Sequence, residues 1–487
     1  MSSTTRLRMT IGLLAILAIP QFGCFHERSF TLDLNRIEYV SDARTVGPRN
    51  AREWTRLVHE RLEHLLPYED RQTPALLTES LLDANGKPID VLKYFKKNKA
   101  YLHTFIGNLS GISQTAQVTG NSHCMDEPAP PWDGFEDIWI PISDKLELSA
   151  RVGWARHDGR IMDTDCIILL PGLLGDNMRK RAKDIGQLLV EAGHHVVSLE
   201  FRGHGRTEAR YANIAYNFGT IEAGDLVTVA EWLESQSHVT ATGIVSFSWS
   251  ANLSLLAAWE NTRADDHPSV SPRFKPFLRP RAKKIYFESG IFAISPVLDL
   301  EHIVDSLDST WSISQNPVLN AVQCTINRRA ERHGYTSVNG SLRRLIECEF
   351  ARTALTYPGA IEDGFDYLRF LPYKGRPSGH KMQDAKVPIL ILHSASDPLA
   401  YAQEIADFFG EISNPNVAGI VLKGGGHDGF AAHSKRYFYS LMLNFFHPDY
   451  GARQARQRTT IVETGSHEND TQLISDAPAS SGQTGRK

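Results

Sequence analysis

Residues 243–252 read GIVSFSWSAN. The first five form a short apolar run of the kind that makes a buried strand, and ANLSLLAAW (251–259) continues as a helical pattern with almost no loop between. At the junction, Ser246, Ser248 and Ser250 stand at alternate positions. A nucleophilic serine can be presented on a tight turn from strand into helix, where crowding demands small residues two places before and two places after it. Ser248 has Ser246 and Ser250 at those places. Ser246 would have Ile244 at the first, and Ser250 would sit inside the helix with Asn252 following. Ser248 is therefore the candidate nucleophile. The usual pattern for such a turn is G-x-S-x-G, and both glycines are serines here, so the stretch alone also fits a polar structural turn.

The flanking chain has a regular rhythm. CIILL (166–170), HVVSLEF (195–201), GIVSF (243–247), KKIYF (283–287), VPILILH (387–393) and AGIVLK (418–423) are short apolar runs, and most lead into a helical pattern. Ile185, Leu188, Leu189 and Ala192 share one helical face after the first run; Leu226, Val229, Ala230 and Leu233 do so after the second. Ile405, Phe408 and Phe409 follow the fifth run, and Phe438, Leu441, Met442 and Phe445 the sixth. Strands alternating with helices imply a mostly parallel sheet with helices on both faces. EDIWIPI and KLELSARVGWA, separated by SDK, alternate like a β-hairpin ahead of it.

The expected organisation follows from breaks in this rhythm. The Pro-rich stretch DEPAPPWDG (126–134) ends a helical or irregular extension, 24–134, in which NAREWTRLVHERLEHLL (50–66) predicts an amphipathic helix. The α/β core then spans 135–293 and 385–447, interrupted by a helical cap over 294–384. The tail, 448–487, lacks aromatics and periodicity and is expected to be disordered.

A serine hydroxyl needs a histidine to take its proton and a carboxylate to hold that histidine. On a strand–turn–helix scaffold the order is Ser, then Asp or Glu, then His. LHSASDPLA places Asp397 just past one buried strand, and KGGGHDGFA places His427 in a Gly-rich loop after the next. His204 in RGHG is the rival base, Glu288 after KKIYF is the rival acid, and Asp428 adjoins the histidine. Backbone N–H groups must receive the developing oxyanion. Trp249, after the nucleophile, and Leu173, in the loop of ILLPGLLGDN (168–177), are the candidates. The chemistry requires no cofactor, and no metal-ligand spacing such as CxxC is present.

The segments LLPGLLGD, VVSLEFRGHGRT, SFSWSAN, LHSASDPL and GGGHDGF together resemble the successive signature segments of the α/β-hydrolase superfamily. YNFGTIEAGDLVTVAEWL and FDYLRFLPY are similar to the YheT-like branch, known as esterases and lipases. The resemblance covers about residues 135–447 and implies an α/β-hydrolase fold. By position, it also implies Ser248 as nucleophile, Asp397 and His427 as its partners, and Leu173 and Trp249 as oxyanion donors.

Composition narrows the rest. The chain has 487 residues, 41% hydrophobic and 22% charged, which supports a globular core. A net charge of −4 and the lack of a basic run argue against nucleic acid as a partner. At the N-terminus, MSSTTRLRMT, the short apolar IGLLAILAIP and QFGC fit an export signal over 1–23. The apolar part is far short of the roughly 20 residues that span a bilayer. Gly23-Cys24 resembles the bacterial lipoprotein pattern, with Gln21 where an aliphatic residue is usual, so lipidation at Cys24 and a membrane anchor in the cell envelope are expected. Of the other cysteines, Cys166 reads as a buried hydrophobe, and Cys324 with Cys348 is the pair a bridge would use. The expected function is cleavage of a small-molecule or lipid ester with an apolar acyl chain. Two alternatives stay open: a catalytically silent protein binding lipid or peptide in the same pocket, and a peptidase or acyltransferase with the same triad.

Overall fold

The computed structural model describes residues 28–41, 50–71, 76–77, 109–119 and 129–446, apart from 174, 178, 280–283, 310–316, 354, 373 and 377–378. The expectations for 1–23, Cys24 and 448–487 lie outside these residues.

In chain order the strands are β1 (Leu76–Leu77), β2 (Phe135–Ser143), β3 (Leu146–Gly153), β4 (Arg156–His157), β5 (Arg160–Ile161), β6 (Thr164–Leu170), β7 (His195–Glu200), β8 (Val239–Phe247), β9 (Gly290–Ile294), β10 (Ile389–Ser394) and β11 (Val417–Leu422). Apart from the small β4–β5 hairpin they form one nine-stranded sheet, ordered β1-β11-β10-β9-β8-β6-β7-β3-β2. From β11 to β7 every pairing is parallel. The antiparallel strands are confined to the two margins: β3 against β7, β2 against β3, and β1 against β11.

The helices that matter below are α1 (Ala51–Leu62), α2 (Leu109–Thr119), α3 (Lys180–Glu191), α4 (Gly205–Arg210), α5 (Glu222–Glu234), α6 (Trp249–Glu260), α7 (Leu300–Asp308), α8 (Pro317–His333), α9 (Leu342–Ala351), α10 (Ala360–Leu368), α11 (Ala402–Glu411) and α12 (Phe430–Phe446). Every residue of β6, β7, β9, β10 and β11 is buried, as a sheet covered on both faces requires. Strand side chains alternate between the faces. Ile168, Ile244, Ile291 and Ile391 enter the core shared with Leu226 and Val229 of α5 and Leu253 and Leu256 of α6. Their neighbours Ile167, Val245, Phe292 and Leu392 enter the opposite core, shared with Ile185 and Leu189 of α3 and Leu441 and Met442 of α12.

Of the described parts of the predicted N-terminal extension, residues 28–41 and α1 belong to this second layer. Asn50 caps α1 by accepting from Glu53 N–H at 3.1 Å, and Trp54, Val58 and Leu62 then join the core of α3 and α12. Residues 28–41 run along α12, with Glu38 N–H donating to Ser440 Oγ and Val40 N–H to Asn444 Oδ1. β1 covers the outer margin of β11, which would otherwise be an unpaired strand edge.

One strand differs from expectation. Ile285–Phe287, in the predicted strand KKIYF, has no strand pairing, and the strand is the next run, GIFAI. The backbone takes positive φ at Phe287 (65°) and Gly290 (99°), which breaks any extended path through the first run. A Cβ at Gly290 would stand 2.7 Å from the Phe445 ring, so only glycine lets β9 start under α12. The insertion after β9 is helical, as read. α7, α9 and α10 bury Ile303, Leu307, Leu345, Ile346, Phe350, Phe365 and Leu368 in the core of α5 and α6. Arg329 on α8 fastens it to the body, donating to Gly203 O (2.8 Å) and Glu208 Oε1 (3.1 Å), and ties α8 to α9 through Glu349 Oε1 (2.6 Å). Cys166 is buried; Cys324 and Cys348 are free thiols, so the bridge between them is not formed.

Candidate active site

β8 ends at Phe247 and α6 begins at Trp249, leaving one residue to make the turn. Ser248 makes it with φ 57° and ψ −124°, a conformation costly for any residue with a side chain. Its own N–H is held by Ile294 O at 2.8 Å, so the next strand fixes the turn. The flanking serines are fully occupied: Ser246 Oγ bonds Ser254 Oγ at 2.8 Å, and Ser250 Oγ donates to Pro171 O. The second bond explains how serine serves where glycine is usual. It ties α6 to the loop after β6, where Gly172 lies against Ser248, close enough that a Cβ there would be 3.4 Å from the serine Cβ. Leu173 follows in the turn closed by Gly175 N–H to Gly172 O at 3.0 Å. Trp249 is the first residue of α6, so its N–H has no acceptor within the helix. Its indole N–H donates to Phe218 O at 3.1 Å, which holds the residue in place.

The three separated side chains meet. His427 Nε2 is 2.7 Å from Ser248 Oγ, and His427 Nδ1 is 2.9 Å from Asp397 Oδ2 and 3.1 Å from Oδ1. Asp397 is itself fixed by N–H donors from Leu399 (2.8 Å) and Ala400 (2.9 Å). Burial opposes its charge, but His427, His393 and the Leu399 N–H outweigh burial and hold the carboxyl below its ordinary range. Burial likewise opposes an imidazolium at His427, and there Asp397, then Asp428, win and raise its pKa to about 9.

Asp428 is closer to the chemistry than its position in the sequence implied. Its Oδ2 lies 3.9 Å from His427 Nε2, the serine side of the ring, and 3.1 Å from Arg181 Nη1. Arg181, on α3, stacks over the Phe247 ring at 3.9 Å. The rivals stand elsewhere. His204 is buried at the start of α4, with Nδ1 2.9 Å from Arg202 O and its ring edge-on to Tyr216, and burial lowers its pKa to about 4. Glu288 is exposed and precedes β9, at the sheet edge opposite Ser248. Asp70, Gln114 and Thr115 reach the His427 loop from the N-terminal region. Sequence reading missed them, because a polar helix such as LSGISQTAQVT carries no recognisable motif.

No family model matches the chain, and no curated protein does. Among solved structures, an esterase of Pyrococcus furiosus is 16% identical, with TM-score 0.39, over 66% of this chain and 98% of its own. A 2,6-dihydroxy-pseudo-oxynicotine hydrolase is 12% identical, with TM-score 0.41, over 83% and 84%. An acylaminoacyl peptidase of Pyrococcus horikoshii is 15% identical, with TM-score 0.40, over 65% of this chain and 42% of its own. The parallel sheet covered on both faces, the serine on a strand–helix turn and the later Asp and His loops at the same sheet edge make this an α/β-hydrolase fold.

Proposed function

We propose that the chain is a serine hydrolase that cleaves carboxylic esters through an acyl-enzyme. The carrying observation is the continuous hydrogen-bonded line from Ser248 Oγ through His427 to Asp397. Asp397 holds the proton on Nδ1 and leaves Nε2 as the acceptor for the serine proton. Ser248 Oγ then adds to the ester carbonyl as His427 takes its proton. The N–H groups of Leu173 and Trp249 receive the oxyanion. His427 gives the proton to the departing alcohol, the tetrahedral centre collapses to the acyl-serine, and water repeats the cycle to release the acid. The finer likeness, to the YheT-like branch, points the same way.

A silent binding role is disfavoured by the same line of contacts: a protein with no use for the reaction has no reason to hold Ser248 at a costly φ against a buried imidazole. Peptidase and acyltransferase readings use the same steps with another donor or acceptor. A fluorophosphonate probe with peptide mapping, followed by esters of graded chain length, tests the proposal. Labelling at Ser248 and turnover of esters are expected; a folded protein that takes up no label sinks it. Export and lipid anchoring at Cys24 in the bacterial envelope complete the proposal and rest on the N-terminal sequence alone.

A further inference from the structure

The His427 loop is KGGGH (423–427), and three successive glycines give it little conformational preference of its own. Gly425 and Gly426 take positive φ, 127° and 57°. Yet the imidazole must hold within a few tenths of an ångström of Ser248 to act as its base. Four of the loop's amides are received by side chains. Lys423 N–H donates to Asp70 Oδ1 at 2.6 Å, Gly425 N–H to Gln114 Oε1 at 2.7 Å, Gly426 N–H to Ser396 Oγ at 3.2 Å and His427 N–H to Thr115 Oγ1 at 2.7 Å. Three of the four acceptors come from the region ahead of the catalytic core, more than 300 residues away in the chain.

These acceptors are themselves fixed. Thr115 hydroxyl donates to Gly111 O at 2.6 Å, which aims its lone pair at His427 N–H. His433 on α12 joins the other two, with Nδ1 3.0 Å from Gln114 Nε2 and Nε2 2.6 Å from Asp70 Oδ2. Contact between α2 and the loop is backbone on backbone. A Cβ at Gly426 would lie 2.2 Å from Gly111 O and one at Gly429 2.7 Å from Gln114 O, while one at Gly111 would lie 1.8 Å from Ser396 O in the neighbouring Asp397 loop. The glycines therefore do two things: they permit the turn, and they let the helix close on it.

We propose that Asp70, Gln114 and Thr115 are positioning residues for His427, so that the N-terminal region is a working part of the catalytic machinery. Thr115 is the decisive one, because it holds the amide of the base itself. This rests on the serine-hydrolase reading, and the test separates the two. In the full chain, Thr115→Val keeps the side-chain shape and removes the acceptor, while Thr115→Ser keeps the acceptor. The rate of fluorophosphonate labelling at Ser248, kcat and KM for a short-chain ester, the thermal midpoint, and amide hydrogen exchange over 423–427 are measured for each.

The expected result for Thr115→Val is a labelling rate and kcat lower by roughly 10- to 100-fold. KM should stay within about twofold, exchange at 423–427 should quicken, and Thr115→Ser should recover wild-type behaviour. Should Thr115→Val fail to fold, Gln114→Leu, which removes the acceptor for Gly425 N–H, carries the same readouts with a smaller expected loss. Labelling at the wild-type rate in Thr115→Val, a loss lying in KM alone, or equal impairment in Thr115→Ser overturns the assignment. If the wild type itself takes no label, the hydrolase reading fails, and unchanged loop exchange in Thr115→Val would separately refute the cradle.

Discussion

Asp428→Asn is the sharpest test of how the site's charges are arranged. Asp428 Oδ2 stands 3.9 Å from His427 Nε2, opposite the nitrogen that Asp397 holds. An imidazolium flanked by two carboxylates is stabilised from both sides, and the His427 pKa, raised to about 9, reflects both, with Asp397 the larger contributor. A general base works only when neutral, so kcat/KM should climb about tenfold per pH unit up to that value. Two unit charges at this separation interact by about 1 kcal/mol with the screening of bulk water and about 4 kcal/mol at an effective dielectric near 20. One pKa unit is about 1.4 kcal/mol. Arg181, 3.1 Å from the same carboxylate, offsets part of the field. A shift of about one unit is therefore the expectation.

The sign is fixed by the charge removed. Losing a negative neighbour destabilises the imidazolium, lowers the His427 pKa and moves the acid limb of the profile from about 9 toward 8. Activity at pH 7 should rise nearly tenfold, while the plateau at high pH stays near its wild-type level. Asparagine suits the site because Asp428 sits at φ 65°, where it is among the best tolerated residues, and the backbone N–H to Ser295 Oγ bond survives. The assay is kcat/KM for an activated ester from pH 5 to 10, paralleled by the rate of fluorophosphonate labelling so that spontaneous ester hydrolysis does not intrude. An acid limb that stays in place or moves upward would refute the electrostatic reasoning.

Three further tests bear on the same reading. Ser248→Ala should abolish ester cleavage while preserving the fold, and Ser248→Gly should be more stable than Ser248→Ala by about 1 kcal/mol in urea unfolding, because only glycine accepts the elbow's φ without cost. Ser250→Ala removes the bond to Pro171 and frees the loop carrying Leu173; kcat should fall roughly tenfold with KM little changed, less than the effect of losing an oxyanion donor outright. Cys24→Ser should move the protein from membrane fractions to the soluble fraction in the producing bacterium, and unchanged partitioning would argue against lipidation there.

What could be read from the sequence tracks how locally each feature is determined. The Ser248 turn is specified by its own neighbours: an apolar strand, a helix and two small flanking residues all within GIVSFSWSAN. Asp397 follows a strand of unbroken burial, so its place at the sheet's C-terminal edge is set within a few residues. KKIYF misled because two apolar runs lie on either side of ESG, and only tertiary contact decides which one pairs: Gly290 against Phe445 admits the second. Asp428 adjoins His427 in the chain, and only the folded backbone, with positive φ at Asp428, brings its carboxylate to the Nε2 side of the ring.

The His427 loop is the opposite case, and it explains why the N-terminal region was opaque. A Gly-rich loop encodes permission rather than structure, so the information that shapes it has to come from elsewhere in the chain. Here it comes from Asp70, Gln114 and Thr115, ordinary polar residues whose meaning exists only once α2 is laid across residues 423–429. The fold thus divides its labour. The parallel sheet brings Ser248, Asp397 and His427 to one edge, which any chain with this topology achieves, whereas the last few tenths of an ångström at the imidazole depend on a helix that the sheet does not require. Loss of α2's contacts should therefore leave the sheet standing and the serine exposed to a histidine that no longer holds still.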